Sequence, residues 1–123
     1  HPVHHPSYID FFEQVLADTT DPATMSRKWE KQYAEDEWYC HLYRTGNAYH
    51  GVHPFYAWYW GAHGLLHAGK VIIVGGDPPT VRRLGFTPAS TMEDAFEIAT
   101  DVVGRTPTIS HLHVPSLLVA DVQ

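Results

Sequence analysis

The sequence has almost no cysteine, no long apolar run and no cluster of basic residues. Its one cysteine, Cys40, excludes an internal disulfide framework and fits a reducing compartment, so we expect a cytoplasmic protein. The longest apolar run is short and interrupted by glycine, which excludes a membrane-spanning helix. A formal net charge of -6 argues against nucleic acid or an anionic membrane as the main partner.

The length and composition indicate one globular domain. The chain has 123 residues, of which 44% are hydrophobic and 18% are charged. The opening residues "HPVHHPSYID" include no initiator methionine and no basic flank followed by an apolar core. We therefore expect a single domain, residues 1–123, that is a fragment, a processed product or an excised domain of a longer protein.

Histidine is the residue type in excess, with ten in the chain. Four pairs have spacings found in metal sites: His4/His5, His50/His53, His63/His67 and His111/His113. His63 and His67 stand four apart on one predicted helix face, while His50 and His53 lie on a glycine-flanked loop beside Arg44, where functional groups gather. The structural alternative stays open for each pair, because a histidine near a helix C-terminus also interacts favourably with the helix dipole.

The first half of the sequence predicts helices. "SYIDFFEQVLAD" has apolar residues at a spacing of three to four, including Ile9, with Ser7 as the expected N-cap. Pro22 can open a second helical stretch through residue 44, which is either one long helix or two with a break near residues 34–36. Pro54 can open a third, "FYAWYWGAHGLLHAG", which is apolar on all sides and is therefore expected to be buried all round, against another domain.

The second half predicts strands between helices. "KVIIVGG" has the pattern of an inner parallel strand buried on both faces. Asp77 is the expected cap of a short helix that Gly85 ends. "TISHLHV" predicts a second strand on which His111 and His113 share a face, and "SLLVADV" a third strand or a closing turn.

"PASTMEDAFEIATDVVG" is the clearest helix signal. Thr91 with Asp94, or Ser90 with Glu93, forms a capping box, and Gly104 ends the helix. The order of elements predicts an α/β fold: a layered, Rossmann-like domain with a small, mainly parallel sheet flanked by helices. Because the first strand signal comes only at residue 70, we expect the sheet to be incomplete without upstream sequence or a partner.

The strand-glycine-helix segment "VIIVGGDPP" also suggests a nucleotide site, but only weakly. It lacks the spaced glycines of a dinucleotide fingerprint and the lysine of a phosphate-binding loop. Asp77 would repel a phosphate at the helix N-terminus, so a capping role is favoured for it.

Several stretches together resemble the C-terminal domain of the lactate racemase family. They are "HPSYIDFF", "W…EDEW", "HPFYAWYWG", "VIIVGGDPPTVRRLGFTPASTMEDAFEIA" and "HLHVP", and with them the resemblance covers nearly the whole chain. The family contains enzymes and homologues that use a nickel-pincer nucleotide cofactor to racemise or epimerise 2-hydroxy acids. The resemblance implies part of a two-domain isomerase with the cofactor in the cleft, and "HPFYAWYWG" suggests a subgroup distant from the lactate enzymes.

The resemblance also implies what this chain would lack. The family's cofactor-bearing lysine, catalytic histidine pair and nickel-ligating histidine belong upstream, so it implies no catalytic residue here and no cofactor bound by this fragment alone. The implied partners are an upstream catalytic domain of the same protein and a small 2-hydroxy acid.

In the family, a polar and a cationic residue, three apart on a helix, contact the substrate carboxylate. The corresponding residues here are His41 and Arg44, where histidine replaces glutamine and arginine replaces lysine. An arginine can grip a carboxylate with two parallel hydrogen bonds. His50 and His53 are placed to bind further hydroxyls, which favours a substrate more polar than lactate.

Two other functions stay open at this point. One is a stand-alone histidine-rich metal-binding module. Its ligands would be His50, His53, His63 and His67. The other is an interaction domain whose aromatic helix docks a partner through Trp58 or Trp60, and we also expect self-association through an exposed aromatic surface.

Overall fold

The computed structural model describes residues 5–46 and 48–112 of the chain. Within this part, four helices are followed by a strand, a short helix, a second strand and a last helix. The elements are α1 (residues 6–18), α2 (residues 22–35), α3 (Glu37–Thr45), α4 (His53–Leu65), β1 (Ile72–Val74), α5 (Pro78–Arg83), β2 (Thr87–Ala89) and α6 (Met92–Val103). The chain thus has an α/β layout that is mostly helical, with a small parallel sheet, as the sequence predicts.

Helix α1 begins before the predicted cap. Its N-cap is His5, whose Nδ1 accepts a hydrogen bond from the Ser7 backbone N–H at 3.2 Å, and Pro6 occupies the first turn. Proline suits this position because its fixed φ is already helical. The prediction of Ser7 as the cap is therefore wrong, and this residue is fully buried in the first turn. A π-helical turn, Phe11–Val15, follows, and Ile9, expected on the apolar face, is exposed.

The second helical stretch is broken at one residue. Asp36 has an extended backbone (φ -61°, ψ 119°), and its carboxylate accepts a hydrogen bond from the Tyr39 N–H at 2.9 Å. This residue ends α2 and caps α3, which confirms the two-helix alternative. Pro22 lies in the first turn of α2, behind the cap Asp21, as predicted.

Helix α4 presents one face to the core. Phe55 is fully buried and packs edge-on against Phe11 (ring centroids 4.8 Å apart) and Tyr33 (5.0 Å). On the opposite side, Trp60 is 84% exposed and Tyr56 is 50% exposed. Within the described residues only one side of this helix meets other elements, so the expected burial of the other side against another domain stays a prediction.

The core lies among α1, α2, α3 and α4. Its buried members are Phe11, Val15, Leu16, Met25, Tyr33, Tyr39, Val52 and Phe55. Partly buried rings, including Trp29, Trp58 and Tyr59, close its edge. Aromatic side chains bury large areas each, so a few of them suffice for a domain this small.

The sheet has two parallel strands in the described residues. Ile72 pairs with Thr87 and Val74 with Ala89. Val74 is exposed and the isoleucines of β1 are half-buried, so the prediction of burial on both faces is wrong here. Sequence analysis also missed β2, which is only three residues long and contains a proline.

The strand predicted for "TISHLHV" is not formed by residues 107–112, which have no regular secondary structure. His111 therefore lies on an irregular segment, while His113 and the predicted "SLLVADV" strand lie outside the described residues.

The helices around the sheet begin and end as predicted. Asp77 caps α5, and Gly85 follows it with a positive φ of 77°. Thr91 and Asp94 form a reciprocal capping box on α6, and the chain leaves that helix at Gly104. The described residues contain no helix that is both long and apolar enough to span a lipid bilayer.

The apolar face of α6 is only partly covered. Ala95 is buried against the sheet side, whereas Met92 (54%), Phe96 (52%) and Val103 (57%) are exposed. A helix this amphipathic normally buries its apolar face. In the described chain, much of that face stays open.

Candidate functional site

The candidate site begins with the polar face of α3. His41 and Arg44 lie one helical turn apart, so their side chains leave the same face of the helix. Both are exposed, and both line one open pocket of about 340 Å³. The other residues of its wall are Glu35, Glu37, Cys40 and Thr45.

The His41 ring is held in place by its neighbours. It stacks on Trp38, with ring centroids 5.7 Å apart and planes 18° apart. Its Nε2 lies 3.4 Å from the hydroxyl of Thr45, which also donates to the His41 carbonyl at 2.8 Å. A ring fixed on one face still offers its edge to a bound molecule.

Arg44 forms no ion pair within residues 5–46 and 48–112. The Glu35 carboxylate, in the same pocket, instead pairs with Lys31, which is also on α2, with 3.9 Å between Oε1 and Nζ. The guanidinium therefore keeps its five donors for solvent or for a ligand. Glu35 and Glu37 would repel an anion, so a bound carboxylate must face Arg44 rather than these side chains.

A second group of polar side chains surrounds the loop before α4. The ring of His53 stacks on Tyr49, with centroids 4.1 Å apart and planes 15° apart. Its Nδ1 shares a short hydrogen bond with the hydroxyl of Tyr8, on α1. This loop is shaped by a turn in which the His53 N–H donates to the His50 carbonyl at 2.9 Å.

His50 points to a different set of neighbours. Its ring meets Tyr43 of α3 edge-on at 5.2 Å, and its Nδ1 lies 3.4 Å from the Val52 N–H, which donates to it. It is only partly exposed. Both loop histidines thus have one ring nitrogen engaged and are held by aromatic neighbours.

Burial changes the acidity of this loop group. Desolvation raises the pKa of Tyr8, and the neighbouring Tyr49 raises it further. The Tyr8 hydroxyl therefore stays protonated at neutral pH and can act as the donor to His53. The arrangement can present an imidazole N–H outward from the loop.

The structure divides the four sequence-predicted residues into two pairs. His41 and Arg44 share a pocket, and neither His50 nor His53 belongs to its wall. The two groups meet through α3, because Tyr43 on that helix contacts His50. They lie on adjoining surfaces rather than in one closed site.

The four histidines of the metal-module alternative are not brought together either. His63 lies on α4, whereas His67 lies in the turn after the helix ends at Leu65, so the prediction that the two share one helix face is wrong. Both are exposed, and their rings are edge-on with centroids 6.0 Å apart. In the part of the chain that the structure describes, no group of three or more histidine, cysteine or acidic residues is placed to hold a metal ion. His50 and His53 contact tyrosines instead.

Sequence reasoning missed the tyrosines that hold His53. Tyr49 stands four residues before it, a spacing that could have suggested contact, but the segment between them is a loop. Tyr8 is 45 residues away, and nothing in the sequence connects it to His53. Only the packing of α1 beside α4 brings the two together.

The glycine-rich segment after β1 shows no phosphate-binding loop. The Asp77 carboxylate accepts hydrogen bonds from the Thr80 N–H (3.0 Å) and hydroxyl (2.7 Å), and these bonds lower its pKa. It thus caps α5 as an anion at the position where a phosphate would sit, which agrees with the capping role predicted for it.

Comparisons of this chain with protein-family models, with curated proteins and with solved structures found no match.

Proposed function

We propose that this chain is the C-terminal domain of a two-domain 2-hydroxy acid racemase or epimerase of the nickel-pincer type, and that it is inactive alone. It would form one wall of the active-site cleft. The observation that carries the proposal is the pair His41 and Arg44, exposed one turn apart on a capped helix, with no ion pair to the arginine among the described residues. That arrangement suits recognition of a carboxylate from outside the domain.

The pocket also constrains the substrate. Arg44 would bind the carboxylate, and the ring edge of His41 would bind the 2-hydroxyl. Glu35 and Glu37, in the same wall, accept hydrogen bonds and suit additional hydroxyl groups. The proposed substrate is therefore a polyhydroxy acid rather than lactate.

In the proposal this chain only binds and orients the substrate. Among the described residues, no group of three or more histidine, cysteine or acidic side chains is placed to hold a metal ion. The cofactor would be held by the other domain.

The open apolar surfaces support a second domain. Trp60 on α4 and Phe96 on α6 are exposed, as are their neighbours Tyr56 and Met92. Apolar patches of this kind mark interaction surfaces in soluble proteins. We further propose that the β1-α5-β2 unit belongs to a larger Rossmann-like sheet, in which another segment extends the two strands.

The test uses the longest natural protein that contains this chain, purified with its own metal content. Interconversion of the enantiomers or epimers of 2-hydroxy acids would be followed by chiral chromatography. Arg44→Gln should raise KM for the acid at least tenfold, since a charge-assisted bidentate contact contributes roughly 1.5–3 kcal/mol. Arg82→Gln, on α5, is the matched control and should change KM little.

Two results would overturn the proposal. One is a full-length protein, with nickel bound, that leaves every tested 2-hydroxy acid unchanged. The other is an Arg44→Gln variant with the same KM as the Arg82→Gln variant, because the α3 pocket would then not bind the carboxylate.

A further inference from the structure

A small polar cavity lies among α1, α2 and α3, apart from the pocket of His41 and Arg44. Its volume is about 220 Å³. Its wall is formed by Asp10, Gln14, Gln32, Tyr33, Asp36 and Tyr39. Two of these side chains are carboxylates and none is basic, so the cavity has a negative potential that favours a cation.

The inner wall of this cavity carries a hydroxyl without a partner. Tyr33 is 3% exposed, and its hydroxyl is buried with no hydrogen bond to any described residue. The hydroxyl lies close enough to Asp10 and Asp36 for their charges to raise its pKa, after the larger effect of burial. Buried hydroxyls are nearly always hydrogen-bonded, so this one indicates a missing partner.

The two carboxylates are already oriented by the protein. Asp10 accepts a short hydrogen bond from the Tyr39 hydroxyl and another from the Gln14 side chain at 3.3 Å. Asp36 accepts from the Tyr39 N–H at 2.9 Å. Each carboxylate has about four lone-pair positions, so both retain acceptor capacity toward the cavity.

We propose that this cavity binds the primary ammonium group of a small amine. An ammonium has a positive charge and three donors, which match the two carboxylates and the Tyr33 hydroxyl. The wall also includes the rings of Tyr33 and Tyr39, with centroids 5.5 Å apart, and aromatic rings of this kind can attract a cation. A calcium ion fits less well, since it needs about six to eight oxygen ligands and both carboxylates already accept hydrogen bonds from the protein.

The site does not depend on the racemase proposal, because none of its residues belongs to the α3 pocket. Gln14 and Gln32 are both exposed, so their amides lie at the mouth of the cavity. Their carbonyl oxygens could receive a hydroxyl or a second amine from the rest of the ligand. The site therefore favours an amine with a polar substituent.

The experiment is a titration of the ¹⁵N-labelled chain with ethanolammonium chloride, followed by NMR. Tetramethylammonium chloride at the same ionic strength is the comparison, because it has the charge but no N–H donor. We expect saturable shifts at residues 33, 36 and 39 with ethanolammonium only. Asp36→Asn should weaken binding about tenfold while still capping α3, and Tyr33→Phe should weaken it several-fold.

Glu93→Gln is the matched charge control, since Glu93 lies on α6 and is not part of the cavity wall. It should leave the affinity unchanged. The proposal is overturned if ethanolammonium gives no saturable shift, if tetramethylammonium binds equally well, or if Glu93→Gln weakens binding as much as Asp36→Asn. Tyr33→Phe deletes only one oxygen, so it keeps the test decisive should Asp36→Asn fail to fold.

Discussion

The imidazole of His53 lies almost flat on the ring of Tyr49, with 4.1 Å between ring centroids and 15° between planes. The hydroxyl of Tyr8 reaches the same imidazole at Nδ1 from another helix. His53 is therefore fixed both in position and in the direction of its free nitrogen. Second partners of this kind set which histidine nitrogen carries the proton.

The first prediction concerns that proton. The protonated Tyr8 hydroxyl can donate to Nδ1, and we expect it to do so, which would leave the proton of neutral His53 on Nε2. Long-range ¹⁵N NMR at pH 8 distinguishes the two tautomers. Tyr8→Phe should lower the fraction of His53 protonated on Nε2, whereas Tyr43→Phe, which alters the contact of His50, should leave it unchanged. A proton on Nδ1 in the unmodified chain would contradict the assignment.

The second prediction compares two glycines. Gly61 lies inside α4 with no atom within 4 Å of where a Cβ would be placed, so Gly61→Ala should raise the free energy of unfolding by about 0.5–1 kcal/mol. Gly51 is buried, and a Cβ there would lie 2.8 Å from Cδ2 of Tyr39. Gly51→Ala should therefore lower the free energy of unfolding by about 1–3 kcal/mol.

Urea denaturation of both variants and of the unmodified chain measures these changes in the free energy of unfolding. If Gly61→Ala destabilised the chain, α4 would be packed against something on that side even in the isolated domain, such as a second copy. If Gly51→Ala were neutral, the loop before α4 would have to move freely away from the Tyr33 backbone oxygen and the Tyr39 ring.

The helix ends were predicted well because a few neighbouring residues determine where each helix begins or ends. The caps Asp36 and Asp77 hold N–H groups three residues ahead, and the Thr91–Asp94 box closes on itself. Ser7 failed as a cap because Pro6 and the side chain of His5 started the helix earlier, a competition that sequence spacing does not decide.

Structural features that depend on residues far away in the sequence could not be predicted. The exposure of Trp60 reflects which helices surround α4, and the pairing of β1 with β2 needs the crossover through α5. For the candidate site, the resemblance suggested His41 and Arg44, and their three-residue spacing on a helix predicted that they share one face. Their separation from His50 and His53 depends on how the loop after α3 returns, which no residue pattern encodes.

The third prediction compares the contributions of two buried tyrosine hydroxyls to stability. Tyr39→Phe removes a hydrogen bond to the Asp10 carboxylate and should lower the free energy of unfolding by about 1–3 kcal/mol. Tyr33→Phe removes a hydroxyl without a partner among the described residues, so it should be neutral or stabilising in the absence of ligand. Thermal unfolding of the two variants at pH 7 tests the pair. Equal losses would show that the Tyr33 hydroxyl is hydrogen-bonded in solution.

The fourth prediction is a loss of stability in alkali. Burial raises the pKa of Tyr33, Tyr39 and Tyr59, and hydrogen bonds to Asp10 and Glu30 raise the last two further. As the pH rises, these tyrosines lose their protons in the unfolded chain at a lower pH than in the folded chain. Their contribution to the free energy of unfolding is therefore fully present below about pH 10 and decreases above it. Urea midpoints between pH 8 and 11 should show this fall, with a smaller slope in Tyr59→Phe. A flat profile would contradict the burial of these hydroxyls.

The last prediction tests the open face of α4. Tyr56 and Trp60 stand four residues apart, and Trp60 is 84% exposed, so Trp60→Ser should change the free energy of unfolding of the isolated chain by no more than about 0.5 kcal/mol.

If this face of α4 is an interface, Trp60→Ser should also weaken self-association, measured by sedimentation velocity across a concentration series. Ile109→Ser, at another exposed apolar position, is the control. Association that survives Trp60→Ser but not Ile109→Ser would place the interface near Ile109 rather than on α4. A large loss of stability in Trp60→Ser would mean that the indole is packed within the domain.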